Sequence, residues 1–153
     1  KTSVGKTLAQ KFDDFEFVDI DEQIEIFQNM KIEKIFKKYG ERFFRELEIK
    51  FIKKYSIKSS KIISTGGGAC ENIENIEALQ KSGVLFYLKT TPQTLYERLK
   101  NDKTRPKLQN TDVLKTLEEL LKKREKNYNL ADFCINTDNR TVDEIEKYEQ
   151  FNG

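Results

Sequence analysis

The sequence predicts an α/β domain of three layers, with helices on both faces of a parallel sheet. Two observations carry that reading. Short apolar runs alternate with stretches of helical periodicity along the whole chain. One of the runs, residues 84–88 (VLFYL), is apolar almost without interruption, as a strand covered on both faces should be.

The elements follow in order. Val4, Leu8 and Phe12 recur every four residues, the spacing of a helix face toward the sheet. Residues 15–20 (FEFVDI) form a strand, and Asp21 is placed to cap a helix carrying Ile24, Phe27 and Gln28. Ile32, Ile35 and Phe36 mark another helix, ended by Gly40 as a left-handed cap. A helix from about 41 to 55 puts Phe44, Leu47, Phe51 and Ile52 on one face. Residues 61–64 read as a buried strand running into Gly66, Gly67 and Gly68. Residues 73–79 are helical and stop at Gly83; Pro92 opens a helix to about 99, in the first turn, where proline is tolerated. Residues 101–112 (NDKTRPKLQNTD) are polar and aperiodic, a long loop of the functional kind. A helix over 113–127, a strand over 132–136 (DFCIN) and a helix from about Thr141 complete the chain.

Strands joined through helices imply right-handed crossovers, and ligands then bind at the carboxyl ends of the strands. That rim collects Asp19, Asp21, the three glycines and the start of the chain.

Composition narrows the classes. The chain's 153 residues suit one domain, and 11 Phe and 6 Tyr supply a core despite 35% charged residues. A net charge of +2 gives no reason to expect nucleic acid or an anionic membrane as partner. No apolar run approaches the ~18 residues of a membrane span. Cys70 and Cys134 stand far apart, as reduced thiols of a cytoplasmic protein would. With no histidine, base chemistry falls to a carboxylate or a lysine.

Two stretches resemble the end of the phosphate-loop motif G-x-x-x-x-G-K-[ST]. Gly5-Lys6-Thr7 has its glycine, but only four residues precede it, too few for the strand a phosphate loop follows. Lys1-Thr2 leaves room for a helix of three turns before the next strand, so we read 5–7 as part of that first helix. In this reading Lys1 reaches the β- and γ-phosphates of ATP and the Thr2 hydroxyl coordinates Mg²⁺. Asp19 and Asp21, two apart at a strand end, would then point to one face, one for the metal and one for a substrate hydroxyl. The three glycines suit a backbone that a ligand must approach closely.

In this order the motifs resemble the shikimate kinase family, of the nucleoside-monophosphate-kinase-like P-loop fold. The resemblance rests on Lys1-Thr2, FVDID at 17–21, IFKKYGERFFRELE at 35–48, ISTGGGA at 63–69, RP at 105–106 and KREKNY at 123–128. It implies transfer of the ATP γ-phosphate to the 3-hydroxyl of shikimate, in aromatic amino acid biosynthesis, by a cytoplasmic monomer that uses Mg²⁺. It further implies Lys1, Thr2 and Ser3 on the ATP phosphates and Thr2 and Asp19 at the metal. Asp21 is implied at the substrate hydroxyl as candidate base, with Arg45, Gly67 and Arg124 around the substrate. Arg105 matches a lid arginine that meets ATP and the transferred phosphate, and Arg98 and Arg140 flank the adenine. Residues 1–153 would form a single domain, helices within 21–55 holding substrate and 101–112 acting as the lid.

These roles make physical sense. A guanidinium pairs with a carboxylate through two parallel hydrogen bonds, and Glu48 can steady Arg45 at i,i+3. A closing lid keeps water from taking the phosphate. The sequence departs from the family at Lys107, before Leu108, where two apolar residues follow Arg-Pro, and in a spacing from Lys1 to Asp19 about one residue longer. We also expect about 10–15 residues upstream of Lys1, holding the glycine-rich loop and the central first strand of a five-stranded sheet. A related kinase for gluconate or a nucleotide, or a non-catalytic kinase-like domain, are the competing readings.

Overall fold

The computed structural model describes residues 1–57, 59–101 and 112–151. Among the described residues four strands and seven helices follow in the expected order. Helix α1 (Thr2–Lys11) precedes β1 (Glu16–Asp19), which passes directly into α2 (Ile20–Gln28). After α3 (Ile32–Tyr55) come β2 (Lys61–Ser64), a 3-10 turn (Ala69–Glu71) and α4 (Ile73–Ser82). The second half runs β3 (Phe86–Lys89), α5 (Pro92–Asn101), α6 (Asp112–Tyr128), β4 (Phe133–Asn136) and α7 (Val142–Phe151).

Among the described residues all strand pairing is parallel. β1 lies on β2 with Asp19 opposite Ser64, and β3 lies on β4 with Lys89 opposite Asn136. The first register brings Asp19 and the glycine turn off the sheet side by side. Among the described residues the two pairs are not hydrogen-bonded to each other. A cavity of about 610 Å³ reaches from the turn after β2 to β3, with Val4, Ile76, Leu79 and Ile145 in its apolar wall.

Apolar periodicity accounts for the core. Ile24, Ile35, Phe44, Leu47, Phe51 and Ile52 pack with Val18 and Ala69 into one cluster, and Val4, Ile135 and Ile145 form a second. Gly40 breaks α3 as expected, but at φ 82°, ψ 168°, an extended positive-φ conformation open in practice only to glycine. The chain kinks there and continues helically on both sides.

Two local expectations are corrected. Asp19, not Asp21, caps α2: its Oδ1 accepts from the Glu22 amide at 3.2 Å. The strand ends at Asp19, so Asp21 lies in the first helical turn and not two positions along a strand. Phe27 is exposed, resting edge-on against Phe51 at 5.4 Å, because α2 turns this side outward.

The competing phosphate motif dissolves. Gly5-Lys6-Thr7 lies inside α1. A Cβ on Gly5 would sit 2.6 Å from the Phe17 ring, so glycine is there to let α1 pack onto β1.

Candidate active site

The glycine turn at 66–68 lies at the centre of the site, and each of its residues faces a different charged group. A Cβ on Gly66 would fall 3.0 Å from Asp21 Oδ1. One on Gly67 would fall 3.3 Å from Arg124 Nη1 and 3.4 Å from Lys1 Nζ. One on Gly68 would fall 2.6 Å from the guanidinium carbon of Arg45. None of the three has positive φ. Their missing side chains are needed for room, which lets four charged groups close on one stretch of backbone. The sequence reading singled out Gly67 for substrate contact; Gly66 and Gly68 are equally constrained.

The half of α3 after Gly40 and the last turns of α6 carry the two guanidiniums to this point. On α3, Arg45 Nη1 donates to Glu48 Oε2 at 2.8 Å, the i,i+3 pairing expected, and Nη2 donates to Glu41 Oε1 at 3.2 Å. Glu48 is 1% exposed and its Oε1 accepts no hydrogen bond. Desolvation pushes the Glu48 pKa up, against the pull of Arg45. On α6, Arg124 Nε donates to Glu71 Oε1 at 2.7 Å. Tyr128 donates to the Gly67 carbonyl at 2.6 Å, and Asn127 Nδ2 to the Cys70 carbonyl at 2.8 Å. Burial raises the Tyr128 pKa to about 12, so it remains a donor at neutral pH.

Asp21 is the acid aimed into this cluster. Its Oδ1 is buried and has no hydrogen-bond partner. Burial raises its pKa, Asp19 adds to the rise, and Lys1 and Arg45 oppose it. Lys1 is exposed as a residue, yet its ammonium is crowded by Asp21, Arg124, Cys70 and Asp19. Desolvation lowers its pKa, Asp21 opposes that, and Arg124 adds to it.

Thr2 donates from Oγ1 to Asp19 Oδ2 at 2.7 Å. A hydroxyl and a carboxylate this close are hard oxygen donors of the kind Mg²⁺ accepts from protein, the rest of its shell being water and phosphate. Among the described residues no cluster of three or more Cys, Asp or Glu side chains offers a fuller protein cage.

Further along the cavity, Ser3, Arg98 and Arg140 join the lining, and Arg98 Nη2 donates to the Thr137 carbonyl at 2.9 Å. The structure therefore brings together Lys1, Thr2, Asp19, Asp21, Arg45, Gly67 and Arg124, with Ser3, Arg98 and Arg140 on the same cavity. Arg105 and the expected lid lie outside the described residues. Sequence reasoning gave no role to Glu71, Asn127 or Tyr128. The α6 pair had a signal, since Asn127 and Tyr128 follow Arg124 at i+3 and i+4 on the same helix face.

Comparison with known proteins agrees with this geometry. The family model for shikimate kinase matches residues 1–150. A shikimate kinase of Thermodesulfovibrio yellowstonii is 43% identical over 100% of the chain and 91% of its own length. One of Caldicellulosiruptor bescii is 42% identical over 90% of the chain and 80% of its length. Among solved structures, shikimate kinase from Acinetobacter baumannii in complex with shikimate superposes with a TM-score of 0.87, at 34% identity, covering 98% of this chain and 84% of that one. Shikimate kinase from Aquifex aeolicus gives 0.83 at 30% identity, covering 99% and 88%. The chain belongs to the shikimate kinase family, P-loop kinases that transfer phosphate from ATP to shikimate.

Proposed function

We propose that the site around residues 66–68 carries out this transfer, with Asp21, Arg45, Gly67 and Arg124 holding shikimate and Lys1, Thr2 and Ser3 holding the phosphates of ATP. The observation that carries the assignment is the convergence of Asp21, Arg45 and Arg124 on three consecutive glycines.

The chemistry follows from the charges. Shikimate is an acid bearing ring hydroxyls. Arg45 and Arg124 take its carboxylate, which fixes the ring; Gly67 lets the backbone come close. Asp21, with an unpartnered oxygen, accepts the hydrogen bond of the 3-hydroxyl and orients its oxygen for in-line attack. As the bond from the 3-hydroxyl oxygen to the γ-phosphorus forms, the bond from that phosphorus to the β–γ bridging oxygen breaks and ADP leaves. The hydroxyl proton passes to Asp21, whose raised pKa improves it as a base. Lys1, which interacts with this acid, would balance the charge of the transferred group. Thr2 and Asp19 would hold Mg²⁺, which when bound neutralises phosphate oxygens. Arg98 and Arg140 line the cavity where the adenine would lie, and Arg105, on the lid at about 101–112, would meet the transferred phosphate.

No helix among the described residues is long and apolar enough to cross a membrane. We read the protein as a cytoplasmic monomer of one domain, with no nucleic acid or membrane partner; light scattering during size exclusion tests the monomer.

The test of function is a coupled assay of ADP release by the purified full-length protein, with ATP, Mg²⁺ and shikimate. ADP formation that depends on shikimate is expected. Background rates with shikimate, beside turnover of gluconate or a nucleotide, would overturn the assignment.

A further inference from the structure

Glu71 ends the 3-10 turn Ala69–Glu71, three residues beyond Gly68, and none of the roles above uses it. It accepts two hydrogen bonds from α6: Oε1 from Arg124 Nε at 2.7 Å and Oε2 from Lys123 Nζ at 2.8 Å. The pair with Arg124 is shielded, the side chains being 17% and 23% exposed. The bond from Lys123, and then that from Arg124, hold the Glu71 carboxyl below its ordinary pKa despite desolvation.

A guanidinium offers an anion two edges. One combines Nε with a terminal nitrogen, and the other is the pair of terminal nitrogens. Glu71 occupies Nε, so the first edge is spent. Nη1 is then the atom that lies over Gly67. Glu71 is not the only tie between α6 and this turn, since Asn127 and Tyr128 hold the helix to the Cys70 and Gly67 carbonyls. The helix has its own anchors; the specific effect of Glu71 is on how the guanidinium is turned.

We propose that Glu71 is a positioning residue for Arg124: by engaging Nε it turns the terminal nitrogens toward the substrate carboxylate. The proposal rests on Arg124 as a ligand of shikimate. It gives the site two acid-binding arginines, each held by a protein carboxylate, Arg45 by Glu48 and Arg124 by Glu71.

The experiment is a double-mutant cycle on the full-length protein, using Glu71→Ala, Arg124→Ala and both together, with Glu71→Gln as the conservative variant. Shikimate affinity is read by titration calorimetry without nucleotide, and KM and kcat by the coupled assay. Glu71→Ala should raise Kd and KM for shikimate about tenfold, the loss of one charge-assisted contact, while kcat and the KM for ATP hold. Glu71→Gln keeps an acceptor for Nε and should recover most of the affinity. In the Arg124→Ala background Glu71→Ala should add nothing, because its effect passes through Arg124.

An unchanged Kd in Glu71→Ala, an equal rise in the KM for ATP, or the same cost with and without Arg124 would each overturn the proposal. Should Glu71→Ala not fold, Glu71→Met, similar in length but without an acceptor for Nε, takes its place in the same cycle and is read against the same outcomes. Wild-type protein that binds no shikimate would instead remove the assignment of Arg124 itself.

Discussion

Arg45 donates to Glu48 at 2.8 Å, one turn along the same helix, and Glu48 is 1% exposed. In the proposed site, a fully enclosed carboxylate beside a part-exposed guanidinium would couple substrate binding to stability. Glu48 needs Arg45 as its counter-charge, and Arg45 owes its orientation to Glu48. Arg45→Ala should therefore do two things at once. It should lower kcat/KM for shikimate by about 10–100-fold, a charge-assisted contact to the acid being lost, with ATP binding little changed. It should also cost about 3 kcal/mol of stability, because a buried acid is left unpaired. Steady-state kinetics and urea unfolding measure the two; an equal loss for both substrates would contradict the clamp.

Gly68→Ala tests room at the turn. The new methyl would fall 2.6 Å from the guanidinium carbon of Arg45 and push it off Glu48. We expect a folded protein with shikimate KM raised about tenfold, comparable to losing one charged hydrogen bond. A KM at the wild-type value would show that Arg45 can step aside at no cost.

Asp21 gives a pH signature. Its folded pKa lies above the ordinary 3.8, with burial the main cause. Between those two values the folded state binds more protons than the unfolded state, so this group lowers stability as pH rises through that window. Asp21→Asn removes the penalty. Its Tm should exceed the wild-type Tm at neutral pH, and the difference should shrink as pH falls through that window and be gone below 3.8. The rate behaves in the opposite sense: kcat/KM of the wild type should rise with pH through the Asp21 titration, and Asp21→Asn should be nearly inactive.

The metal reading predicts a specific asymmetry. Asp19 both caps α2 and bonds Thr2. Asparagine caps a helix as well as aspartate but is a poor Mg²⁺ ligand. Asp19→Asn should keep the wild-type Tm while raising the Mg²⁺ concentration for half-maximal rate by about 10–100-fold, the range for lost metal support. An unshifted Mg²⁺ titration would place the metal elsewhere.

Two lysines test the proposed phosphate assignment. Lys1→Ala should abolish turnover. Lys6 sits 5.9 Å over the Phe17 ring inside α1, so Lys6→Ala should leave turnover intact and cost only about 0.5 kcal/mol, as an exposed cation–π contact would. Activity lost in Lys6→Ala and kept in Lys1→Ala would reverse the two assignments.

The sequence by itself determined the element order, the parallel class and the identity of most charged groups in the site. Those signals are local: apolar periodicity marks elements, and glycine runs and arginine motifs stand out along the chain. It also favoured Lys1-Thr2 over Gly5-Lys6-Thr7, partly by counting the residues the first helix needs and partly by the family's motif order. Tertiary structure decided what depends on chain segments far apart. It moved Asp21 from strand end to helix, because Asp19 is the residue that finds an amide to cap. It showed that the glycines exist to admit Asp21, Arg124 and Arg45 to one turn. It also paired Arg124 with Glu71, 53 positions away along the chain. Such a pairing leaves no local mark in sequence, since a hydrogen bond between distant elements exists only once the packed core has set where each helix lies.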